Sequence, residues 1–168
     1  MTATRNASRI MLAFAVVFAT ACGGGEKAQQ TAQVPAAGGG AGSDRPDGAV
    51  VYQRCATCHQ PTGVGTPGVF PPLAGSGIAN GPASIPIRIV MRGLMGPVTV
   101  KGQEFNGVMP AYGIGVEMTD AEVAAVLTHV RSSFGNKGGA VTPEEVARER
   151  AAIASKAGPW TAAELGIK

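Results

Sequence analysis

The chain has 168 residues, 45% hydrophobic and 15% charged, which suits one domain with additional segments at its ends. Its formal net charge of +3 falls on removal of the leader described next, because Arg5 and Arg9 leave the 14 cations and 12 remain against 11 anions. No basic stripe interleaved with aromatic residues occurs, so nucleic-acid binding has no support and the charge does not select a partner.

Residues Ile10 to Ala19 form an apolar run preceded by Arg5 and Arg9. The run is shorter than the roughly 20 residues a spanning helix needs. With small residues at Ala19-Thr20-Ala21 it reads as a secretory signal peptide over residues 1–21. The stretch ending in Cys22 resembles a bacterial lipoprotein box, with Ala19 where leucine is usual. On this reading Cys22 carries a lipid that anchors the chain to a membrane surface without spanning it. The alternative is ordinary cleavage after an A-x-A site, which leaves a lone thiol in an oxidising compartment. Residues 22–46 are rich in Gly, Ala and Gln, with no large apolar residue beyond Val34, and read as a lipid-anchored flexible linker. Chain of that composition and length has an r.m.s. span of roughly 25–30 Å.

A first helix is expected from Asp47 into Cys55-Ala-Thr-Cys58-His59. That pentapeptide is the covalent attachment signature for haem c. Two thiols at this spacing add to the two vinyl groups, and the adjacent imidazole reaches the iron. The same spacing can serve zinc or a thiol redox pair. Zinc lacks a fourth ligand here, since only Cys22 and His129 remain, and no βαβ pattern surrounds the motif to suggest a thioredoxin-like site. With one cysteine for lipid and two for haem, none is left for a disulfide.

Farther along, Gly63 to Gly81 is expected to be loop, Ser84 to about Leu94 a short helix, and Gly96 to Gly115 irregular. Thr119 and Glu122 form a capping box. Val123, Val126, Leu127 and Val130 then continue a helix to about Gly135. Beyond it, Thr142-Pro143-Glu144-Glu145 opens a polar helix to about Ala157, and Thr161 to Glu164 repeats the signal on a terminal turn. This tail, residues 136–168, has too few large apolar residues to fold alone. It either packs across the preceding domain or meets a partner.

Residues 47–135 resemble a class I c-type cytochrome, which implies an all-α fold of a few helices around one covalent haem, here with an extra C-terminal helical tail. Besides the haem motif and the last helix, Phe70-Pro71-Pro72-Leu73-Ala74-Gly75 is similar to the family's Pro-x-Leu-x-Gly loop, and Val108-Met109-Pro110 to its Met-Pro. The resemblance implies that His59 and Met109 are the axial ligands of the iron. It also implies that the carbonyl of Pro71 accepts the other ring N–H of His59, fixing the ring. Met91, Met95 and Met118 are rival donors. His129 resembles a substitution of the tyrosine that packs where the first and last helices cross, and Tyr52 is displaced by one residue from its usual place.

The expected function is outer-sphere transfer of single electrons on the periplasmic side of a bacterial membrane. The segments Thr62–Val69 and Asn106–Ile114 should border the exposed haem edge. Donors and acceptors would be periplasmic or membrane-bound redox proteins. Two alternatives remain: a haem c subunit of a multisubunit dehydrogenase, nitrite reductase or terminal oxidase, and a gas-binding or catalytic haem protein.

Overall fold

The computed structural model describes residues 45–168; the expected signal peptide, Cys22 and nearly all of the linker lie outside them. In chain order the elements are α1 (Gly48–His59), α2 (Gly77–Asn80), α3 (Ser84–Arg92), β1 (Leu94–Val100), β2 (Gln103–Met109), α4 (Asp120–Ser132) and α5 (Pro143–Ala152). The fold is the expected helical one with one addition, a two-stranded antiparallel hairpin of β1 and β2.

Helix α1 starts where the Asp47 side chain accepts the Ala49 N–H. It crosses α4 at close range. A Cβ on Gly48 would lie 2.2 Å from the carbonyl oxygen of Ala125, so only glycine permits this approach. Farther along the crossing, the Tyr52 ring lies 5.4 Å from His129 and 5.2 Å from Phe134, centroid to centroid. His129 therefore packs at the crossing. On α4 the capping box of Thr119 and Glu122 forms as expected, and Val123, Val126, Leu127 and Val130 are buried.

Two elements depart from the expectation. The loop before α3 contains the short helix α2, capped by Ser76. Most of the stretch expected to be irregular is instead the hairpin, while residues 110–115 are irregular as expected. Its turn is Lys101-Gly102, both with positive φ (53° and 79°), as a tight two-residue hairpin loop requires.

The tail packs against the domain. Val146 of α5 is fully buried, Arg88 on α3 pairs with Glu149 at 2.7 Å, and Arg150 pairs with Asp120 at 2.7 Å. Helix α5 ends at Ala152 rather than near Ala157, and the chain then returns along the hairpin.

Arg131, near the end of α4, is only 5% exposed. Its guanidinium donates to the carbonyls of Ala79, Gly81, Gly138 and Gly139, tying α2 and the start of the tail to α4. It has no acidic partner among the described residues. Arg131→Met keeps the bulk and strands those four acceptors, so it should cost about 3 kcal/mol of unfolding free energy, read by chemical denaturation of the holoprotein.

Candidate functional site

Helical spacing places the motif. Val51, Cys55 and His59 fall at i, i+4 and i+8, and Cys58 at i+3 from Cys55, so the thiols and imidazole leave α1 on neighbouring faces of its last turns. His59 is 7% exposed. Its Nδ1 donates to the Pro71 carbonyl at 2.9 Å, the contact the resemblance implies. A carbonyl has no proton to give, so the proton sits on Nδ1 and the lone pair on Nε2. Burial pulls the imidazole below its ordinary pKa, against the raising effect of that hydrogen bond, so the ring is neutral and free to ligate.

The loop that delivers Pro71 depends on Gly65. Its φ is +67°, and a Cβ there would lie 2.3 Å from the Phe70 oxygen and 2.7 Å from that of Pro71. Paired hydrogen bonds between Thr66 and Phe70 close the loop, and the Gly65 N–H donates to the His59 carbonyl at 3.0 Å. The chain thereby folds back over its own histidine.

Two apolar clefts, of about 110 and 100 Å³, meet at Cys55, His59, Pro71, Leu94, Val98 and Met109. One reaches Cys58 and, in the segments expected to border the haem edge, Val69 and Val108; the other runs inward to Ile89, Val90, Leu127 and Val130.

The hairpin supplies one cleft wall, and sequence reasoning missed it. Leu94 pairs with Met109, Gly96 with Gly107 and Val98 with Phe105, and all six residues line the first cleft. Directly paired residues share a face, and the side-chain period of two decides which. The period also sorts the methionines. Met109 faces the clefts, whereas Met95, paired with Val108 on the other face, is 43% exposed. Met91 and Met118 are 2% and 1% exposed in the core and line neither cleft.

These residues fit a covalently held haem. An apolar slot has two thiols and a neutral imidazole at one wall and a thioether among its lining residues. Burial pushes the Cys55 thiol up to about 11, only partly offset by Arg54, which disfavours the thiolate that zinc or disulfide exchange would need. Among the described residues no group of three or more His, Cys, Asp or Glu is placed to hold a metal ion, so nothing completes a zinc site.

Comparison with known proteins agrees. The family model for cytochrome c matches residues 46–134. A cytochrome c-552 of Thermus thermophilus is 41% identical over 103 residues, 58% of this chain and 67% of that protein. A second cytochrome c-552 from the same species is 42% identical over 95 residues, covering 54% and 70%. The cytochrome c subunit of the quinone alcohol dehydrogenase of Gluconobacter oxydans is 32% identical over 125 residues, 71% of this chain but 25% of that subunit. With the fold, the slot and the attachment motif in agreement, the chain belongs to the cytochrome c family, as a class I c-type cytochrome that binds haem c covalently and carries electrons.

Proposed function

We propose that the chain is a membrane-tethered carrier of single electrons on the periplasmic side of a bacterial membrane, in which His59 and Met109 would ligate the haem iron, Cys55 and Cys58 would anchor the haem through thioethers and Cys22 would carry the lipid. The observation that carries the ligation is that His59 and Met109 line the same two apolar clefts, from α1 and from β2. Haem iron supplies the ferric–ferrous couple.

The residues supply the rest. Pro71 holds the His59 ring in one orientation and raises its basicity. Met109 offers a soft thioether, which favours the reduced state. Leu94, Val98, Ile89 and Val130 keep water out, and the low dielectric disfavours the more highly charged oxidised state. Electrons would cross at the first cleft's mouth, beside Val69 and Val108, exposed at 57% and 68%.

The tether rests on the leader and on Cys22. In the native host, wild-type protein should sediment with membranes and Cys22→Ser should appear in the soluble periplasmic fraction with the same spectrum. Retention of the variant on membranes would refute lipidation at Cys22. A second reading, a haem c subunit of a larger oxidoreductase, is favoured by the likeness to the alcohol dehydrogenase subunits, which extends over 71% of this chain. Co-purification in a stable complex under mild detergent would select it over a free carrier.

A further inference from the structure

We propose that the C-terminal segment Trp160–Lys168 is a positioning element for the sixth ligand, a brace on the free edge of the strand that backs Met109. The inference rests on the reading of Met109 as that ligand. Among the described residues the hairpin has two strands, and without the tail the edge of β1 away from β2 would be open to them. The tail closes it. Trp160 forms a parallel bridge to Leu94, the residue paired with Met109, so Met109, Leu94 and Trp160 lie in one row across three segments.

The closure is by backbone and side chain together. The Trp160 N–H donates to the Gly93 carbonyl at 3.0 Å, the Met95 N–H to the Trp160 carbonyl at 2.8 Å, and the Thr99 N–H to the Lys168 carbonyl at 2.7 Å. Leu165 and Ala162 are buried in the same cluster as Leu94, Val98 and Phe105, and both Trp160 and Met109 pack against it. The brace is itself stiffened. Glu164 accepts the Thr161 N–H at 2.8 Å and pairs with Lys156 at 2.9 Å, and the Lys156 ammonium lies 4.9 Å from the Trp160 ring centroid.

A methionine on a two-stranded ribbon can swing away from iron if the ribbon flexes, because an isolated hairpin is marginal in water. A third backbone on the edge removes that freedom. The tail would therefore set how often the thioether leaves the iron, and with it the access of exogenous ligands.

The test uses the full-length holoprotein, with cyanide added to the ferric form. In Trp160→Ala, cyanide should bind about tenfold faster, equal to about 1.4 kcal/mol less hold on the ligand. The red methionine-to-iron charge-transfer band should also be lost at lower pH than in wild type. Trp160→Phe should restore both. Unchanged cyanide rate and band midpoint in a folded Trp160→Ala protein would overturn the proposal, even if its melting temperature fell. Should that variant not fold, Leu165→Ala is read the same way: a faster rate supports the brace, and an unchanged one overturns it. Met109→Ala separates the premises. If it keeps the band, the ligand reading fails and the brace falls with it; if it loses the band while the tail variants behave as wild type, only the brace fails.

Discussion

Replacing Cys55 and Cys58 together by alanine should leave a chain that retains no haem on a denaturing gel and lacks the compact helical fold. The first outcome follows from the attachment chemistry. The second follows from what the cofactor fills. Ile89, Val90, Leu94, Val98, Leu127 and Val130 line the inner cleft, the space a bound haem would fill. The clefts hold about 110 and 100 Å³. About 200 Å³ left void costs about 5 kcal/mol at roughly 24 cal/mol per Å³. Domains have only about 5–15 kcal/mol in all. Single substitutions should each keep one thioether, retaining haem through the gel with lower thermal stability. Haem that survives denaturation in the double variant would contradict the assignment.

The second large effect is expected at Met109. In Met109→Ala the ferric charge-transfer band should vanish and the reduction potential should fall by roughly 0.2–0.4 V, within the ≈0.8 V that axial ligation spans. Potentiometric titration with optical detection reads both. Met118→Ala should lose stability by about 2–4 kcal/mol through a core cavity yet keep the band, since Met118 is buried away from both clefts. A band that survives Met109→Ala would move the ligand elsewhere.

Much of this site was legible in the sequence, because its chemistry is local. The two thiols and the imidazole share two turns of one helix, and the Met-Pro and Pro-x-Leu-x-Gly stretches are contiguous. The capping box at Thr119 was equally local, and the structure forms it. The hairpin was not read. Gly96-Pro97 and Lys101-Gly102 look like loop punctuation, and they mask the alternation of Leu94, Val98 and Val100 with Phe105 across the turn. Lys101-Gly102 is also a weaker turn signal than Asn-Gly. Once the hairpin is drawn, the one-residue offset that turns Met95 out and Met109 in follows from the pleat alone.

The tail was harder. Its large apolar residues, among them Val146, Ile153, Trp160 and Leu165, are scattered rather than periodic, and each packs on partners distant in sequence, Trp160 half-buried and the others buried. Arg131 gave no signal either. A cation in the last turn of a helix ordinarily faces solvent and complements the dipole, whereas this one is turned inward on four carbonyls.

An electron carrier of this kind needs an iron closed on both faces by residues of its own chain. Carbon monoxide mixed with the ferrous holoprotein tests that most directly. The wild-type spectrum should stay unchanged on the timescale of mixing, while Met109→Ala should convert at once with one carbon monoxide per haem. A rapid, stoichiometric change in the wild type would mean an open coordination position, and the chain would then be a ligand-binding haem protein rather than an electron carrier.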